Sequence, residues 1–162
     1  MKQIQGTSYN IEDDIVGRIT FGKRNLFGRS NDILVCKDSD KPAFGYLATI
    51  TEKTTFSAKD KPYCVVNSVE NFNEGDVAVI NKKGEIIFVY EINSNHNALM
   101  ATERCNHRCI MCPQPPILQE KDKTPFNLQL ISLFDKNTQE IGITGGEPTL
   151  IGCLLYTSPS PR

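Results

Sequence analysis

Hydrophobic and polar positions alternate in short stretches over the first half of the chain. Between Ile11 and about Ile92, the runs Ile33–Cys36, Tyr46–Ile50, Tyr63–Val69, Val77–Ile80 and Ile86–Ile92 are rich in β-branched and aromatic residues. Clusters of Gly, Pro, Asn and Asp separate them, which is the pattern of strands and turns. Val77–Ile80 and Glu85–Tyr90 flank Asn81-Lys82-Lys83-Gly84, and this reads as a hairpin whose loop ends in a glycine free to take positive φ. The pattern predicts a small antiparallel sheet or barrel. Residues 1–97 are expected to form this β-rich N-terminal domain, with the polar stretch Asn93–Asn97 as its boundary. His96 in that stretch reads as a solvated loop side chain.

Beyond Asn97 the pattern changes to strand, loop, helix, strand. Ala98–Thr102 is a short apolar run that leads into a cluster of cysteines. Pro113, Pro115 and Pro116 then forbid a regular helix or a central strand. Thr124-Pro125 is a helix start, with Thr124 as N-cap and Pro125 at the first helical position. Phe126, Leu130, Ile131 and Phe134 follow at helical spacing and predict one apolar face, with Asn137 as the end. Glu140–Thr144 predicts a second strand, followed by Gly145-Gly146-Glu147-Pro148. Strand, crossover helix and strand make a βαβ unit, so Ala98–Thr102 and Ile141–Thr144 are expected to lie side by side in parallel.

The end of the chain differs from the rest. Residues 153–162, Cys153-Leu154-Leu155-Tyr156-Thr157-Ser158-Pro159-Ser160-Pro161-Arg162, resemble the translation of a transposon-type sequencing adapter. On that resemblance natural sequence ends near Gly152, and Cys153 is not a natural cysteine. Residues 98–152 would then be a truncated α/β domain, and a fragment of this kind is expected to lack enzymatic activity.

Composition adds exclusions. The chain is 39% hydrophobic and carries a net charge of −1, so it is neither a disordered polyelectrolyte nor a basic nucleic-acid binder. No stretch approaches the roughly 18 apolar residues of a membrane span, and the polar start lacks the apolar core of a signal peptide. The expectation is a cytoplasmic protein with no nucleic-acid and no membrane partner. Six cysteines are present, and three of them crowd into Cys105–Cys112. In a reducing compartment a tight cluster points to metal binding and not to cross-linking. Cys36 and Cys64 lie in strand-like runs and read as buried structural thiols.

The cluster is Cys105-Asn106-His107-Arg108-Cys109-Ile110-Met111-Cys112, a Cys-x3-Cys-x2-Cys spacing. Four cysteines would saturate a structural zinc or a conventional iron–sulfur cluster. Three on a [4Fe–4S] cluster leave one iron open to a substrate or cofactor. This spacing, followed by Gly145-Gly146-Glu147-Pro148 after the next predicted strand, resembles the radical S-adenosylmethionine (radical SAM) enzymes. The resemblance covers about Ala98 to Gly152. It implies an α/β fold, the first βαβ unit of a partial (β/α)6 barrel placed after the β-rich domain. It implies that Cys105, Cys109 and Cys112 ligate a [4Fe–4S] cluster. It also implies that S-adenosylmethionine binds the open iron, with Gly145, Gly146, Glu147 and Pro148 beside its methionine end. The implied reaction is reductive cleavage to methionine and a 5′-deoxyadenosyl radical, fed by a low-potential electron donor. Which residue would be catalytic toward the substrate is not readable.

Met111 departs from the aromatic residue common before the third cysteine, which puts an adenine-stacking role there in doubt. The run Met111-Cys112-Pro113-Gln114-Pro115-Pro116 is similar to the His-Xaa-Ser system radical SAM maturases of the C type. That similarity implies a peptide or protein substrate bearing His-Xaa-Ser repeats, and a second radical SAM protein as partner. Two alternatives stay open on the residues: a radical SAM enzyme of another substrate class, and a non-enzymatic zinc- or cluster-binding module. The latter would recruit His107, Cys64 or Cys36 as a fourth ligand. His107 otherwise reads as a loop residue pointing to solvent or to a sulfur-side hydrogen bond. Arg108 either favours an anionic cluster or is simply exposed.

Overall fold

A computed structural model describes residues 2–22, 30–37, 45–54, 61–112, 117 and 119–151. The expectations for Pro113–Pro116 and for the tail 153–162 lie outside these residues. The chain divides into two compact units, Met1–Asn95 with Leu133–Thr138, and His96–Ser132 with Gln139–Arg162.

The first unit contains eight strands: β1 (Gln3–Gln5), β2 (Thr7–Tyr9), β3 (Ile15–Thr20), β4 (Asp32–Cys36), β5 (Ala48–Thr51), β6 (Tyr63–Val65), β7 (Val77–Ile80) and β8 (Glu85–Tyr90). They form one sheet in the order β1-β8-β7-β3-β4-β5-β6-β2. The expected antiparallel sheet is corrected to a mixed one, because β3-β4, β4-β5 and β5-β6 pair in parallel. Alternation of apolar residues fixes which face of a strand is buried and leaves the direction of its neighbour open.

The two edge strands, β1 and β2, are separated in the chain by Gly6 alone. The segment Gln3–Tyr9 bends there, and the sheet closes on itself. Gly6 N donates to Gly84 O at 2.9 Å, and Ser8 Oγ donates to Lys82 O. A Cβ at Gly6 would stand 2.5 Å from Val65 O and 2.7 Å from Cys64 Sγ, so only glycine lets the two edges meet. The core lies inside this closure. Every second residue points inward: Ile19, Ile33 and Val35, Ala48 and Ile50, Cys64, Ala78 and Ile80, Ile86 and Phe88. The β7–β8 hairpin forms at the predicted place, with Gly84 at φ 81° and the Asn81 side chain accepting from Lys83 N and Glu85 N. The segment Leu133–Thr138 belongs to this unit. Leu133 O accepts from Arg18 Nε and Nη2 at 2.9 and 2.6 Å, and Phe134 stacks on Tyr90 with 4.7 Å between ring centres.

The second unit contains β9 (Ala98–Thr102), most of α1 (Thr124–Leu133), β10 (Gly142–Gly145) and a 3-10 turn at Pro148–Leu150. β9 and β10 pair in parallel, Leu99 opposite Ile143. The buried residues of α1 and the position after it are Asn127, Leu130, Leu133 and Phe134. Phe126 and Ile131, expected on the buried face, are 39% and 42% exposed.

The expected fold, an α/β start of a radical SAM partial (β/α)6 barrel behind a small β-rich domain, is corrected. The described protein is mostly a mixed eight-stranded sheet, with one α-helix and a separate two-stranded parallel sheet. A barrel sheet is covered on both faces and closes strand to strand. Here β10 is exposed at every position and, among the described residues, pairs only with β9. No helix among the described residues is long and apolar enough to cross a membrane.

Candidate functional site

The cysteine loop leaves β9 at Thr102, and its base is tightly held. The Glu120 carboxylate accepts from the Thr102 hydroxyl and, at 2.9 Å, from Glu103 N. The Thr102 hydroxyl accepts from Arg104 N at 3.0 Å. Lys123 lies 3.2 Å from Glu103 and 3.6 Å from Glu120. Burial raises the Glu120 carboxyl pKa, and the Thr102 hydroxyl, the Glu103 amide, Lys123 and the Arg104 amide together outweigh it, so the net shift is downward. On the other side of the base, Cys105 N donates to Ile117 O at 3.0 Å. From α1, the buried Asn127 amide donates to the β9 carbonyls of Met100 and Ala101 at 3.3 and 3.2 Å.

The tip of the loop faces solvent. Cys105 is half-buried and its sulfur accepts from His107 N at 3.4 Å. Cys109 and Cys112 are exposed, and Cys112 N donates to Cys109 O at 3.1 Å to close a turn. Ile110 and Met111, between them, are fully exposed. Among the described residues no group of three or more His, Cys, Asp or Glu is arranged to hold a metal ion. The donor set still suits a thiophilic metal: three cysteines outside any disulfide lie on one short loop, two of them at the ends of one turn. Thiolates of this kind are drawn together by the metal they bind.

Gly145-Gly146-Glu147-Pro148 runs from the end of β10 into the 3-10 turn. Gly146 N donates to Thr102 O and Glu147 N to Arg104 O, both at 2.8 Å. Gly145 has φ 140°, and a Cβ on it would lie 2.1 Å from Thr102 O. A Cβ on Gly146 would lie 2.2 Å from Arg104 O. The close approach that these glycines allow is thus to the chain's own backbone at the base of the cysteine loop. Glu147 Oε1 accepts from Thr149 N at 3.0 Å and from the Thr149 hydroxyl. Its Oε2 lies 3.3 Å from His107 Nδ1. The Thr149 hydroxyl and then its amide lower the Glu147 carboxyl pKa against desolvation, and His107 adds to the lowering.

The structure brings Gly145, Gly146 and Glu147 to the base of the loop that carries Cys105, and leaves Cys109 and Cys112 in solvent at its tip. Cys64 is buried in the β-rich unit, and burial pushes its thiol up to about 11, which suits a structural thiol and not a ligand. Glu120 and the His107–Glu147 contact were not legible in the sequence. Glu120 stands in the charged run Gln119–Lys123, which has no distinguishing spacing. No family model, curated protein or solved structure matches the chain.

Proposed function

We propose that this chain carries radical SAM chemistry, with Cys105, Cys109 and Cys112 holding a [4Fe–4S] cluster and Gly145–Pro148 receiving S-adenosylmethionine. One observation carries the reading. The Gly-Gly-Glu-Pro turn is hydrogen-bonded to Thr102 and Arg104, so two motifs far apart in the chain meet one residue from Cys105. With a cluster and S-adenosylmethionine held at these residues, the chemistry supplied would be one-electron reductive cleavage of the sulfonium and hydrogen abstraction from the substrate. The chain's own part is to bind and orient. Thr102, Glu120 and Ile117 O fix the base of the loop; the exposed tip would close on the metal, and the turn would receive the methionine end. The substrate on this reading is a peptide or protein with His-Xaa-Ser repeats, modified beside a second radical SAM protein. A low-potential donor supplies the electron, and a reducing cytoplasm keeps the thiols reduced.

Anaerobic reconstitution with iron and sulfide tests the assignment. The chain should take up about four of each, and serine at any one of Cys105, Cys109 or Cys112 should abolish uptake. S-Adenosylmethionine should then alter the paramagnetic resonance of the reduced cluster. One zinc per chain, or uptake that survives all three substitutions, would overturn the reading.

A further inference from the structure

His107 sits between the first and second cysteines of the cluster motif, yet its ring is turned to the other motif. Nδ1 lies 3.3 Å from Glu147 Oε2, while Glu147 Oε1 is held by Thr149 N and the Thr149 hydroxyl. Each carboxylate oxygen thus has its own partner, one within the turn and one on the cysteine loop. The backbone of His107 faces the first cysteine, its N–H donating to Cys105 Sγ. One residue therefore touches both motifs, through its backbone at a thiol and through its ring at the carboxylate.

We propose that His107 is a positioning residue, a latch that fixes the Gly-Gly-Glu-Pro turn against the cysteine loop through Glu147. The role rests on the radical SAM reading of the site and assigns His107 a task other than metal ligation. The two backbone bonds from Gly146 and Glu147 anchor the turn to the base of the loop at Thr102 and Arg104. Neither bond reaches beyond Cys105, whereas the ring of His107 does. Its side chain is 57% exposed and that of Glu147 23%, so the latch is worth a modest, measurable amount and not the integrity of the fold.

The test uses the full chain with His107→Ala, His107→Gln, Glu147→Gln and the double variant His107→Ala/Glu147→Gln. In the metal-free chain, His107→Ala should speed amide exchange at Gly146 and Glu147 roughly fivefold, the effect of losing one partly exposed polar contact. His107→Gln, which keeps a neutral donor, should restore most of the protection. His107→Ala should add nothing further on the Glu147→Gln background. After reconstitution, His107→Ala should hold as much iron as the parent chain. It should need roughly fivefold more S-adenosylmethionine to shift the cluster resonance, with Gln again recovering most of the loss. Loss of iron in His107→Ala would make it a ligand and overturn the latch, as would unchanged amide exchange. A parent chain that takes up no iron would overturn the radical SAM reading, while the exchange measurements would still decide the latch.

Discussion

Gly146→Ala should detach the Gly-Gly-Glu-Pro turn from the base of the cysteine loop and leave the eight-stranded sheet intact. The added Cβ would stand 2.2 Å from Arg104 O, 2.7 Å from Arg104 C and 2.9 Å from Glu103 O. All three are backbone atoms, and their own segment is fixed by Glu120 and Thr102, so no flexible side chain can swing away. Relief requires the turn to move off, which breaks the 2.8 Å bonds from Gly146 N to Thr102 O and from Glu147 N to Arg104 O. At about 0.5–1.5 kcal/mol for each net hydrogen bond, the loss is about 1–3 kcal/mol. Since every 1.4 kcal/mol is tenfold, local opening should rise roughly 5- to 150-fold. Amide hydrogen exchange followed by NMR reads this directly at position 146 and at Glu147. The amide of Gly84, bonded to Asn81 O in the β7–β8 hairpin, serves as the control and should not change. Exchange at Glu147 within about twofold of the parent chain would refute the argument, because the contact would then have been relieved without breaking either bond.

Two further outcomes are expected. Ile50→Ala removes a side chain with no exposure from the centre of β5 and should cost about 2–5 kcal/mol in urea unfolding, and a loss under about 1 kcal/mol would mean that the interior of the closed sheet can collapse around the gap. The Glu103 amide, bonded to Glu120, should titrate with a midpoint below the ordinary Glu range near 4.3, and Glu120→Gln should abolish that titration. The sign follows from the depressed folded-state value: Glu120 stabilises the base of the loop above the ordinary range, and this is lost as pH falls through the lowered one.

The strands that the sequence reveals are those with unbroken apolar runs. Val77–Ile80 and Glu85–Tyr90 are legible because β-branched and aromatic residues dominate them and Asn81 and Gly84 punctuate the turn. β1 and β2 escape notice because Gln3–Gln5 and Thr7–Tyr9 are short, polar edge strands with little to bury. β3 is obscured by Gly17 and Arg18. A Cβ at Gly17 would lie 2.8 Å from Ile33 Cγ1, and Arg18 is turned to Leu133 O. Parallel pairing within the sheet is invisible locally, since it depends on which distant strand lies alongside. In α1 the periodicity places a helix correctly and misplaces its face, because the polar Asn127 is buried to bond Met100 O and Ala101 O. At the site, the cysteines and the Gly-Gly-Glu-Pro run are legible as motifs. What joins them is not: Glu120 and the ring of His107 act through distances that no spacing encodes.

The division of the cysteine loop into a fixed base and an exposed tip bears on how the proposed site would work. The base is restrained on three sides, by Glu120 at Thr102 and Glu103, by Ile117 at Cys105, and by Gly146 and Glu147 at Thr102 and Arg104. At the tip, Cys109 and Cys112 close a turn of their own and are exposed. A metal bound by the three thiolates would have to order the tip alone, so little of its binding free energy is lost in fixing the base. The same base holds the glycine turn in register with the loop. On the proposed reading, two sites that share one support and are joined again through His107 and Glu147 would be coupled. Whatever factor occupancy of the turn adds to the loop's hold on its metal, metal uptake must add to the affinity of the turn. On the proposed reading, that reciprocity makes S-adenosylmethionine a stabiliser of the cluster as well as its substrate, and places the coupling at Thr102, Arg104 and His107.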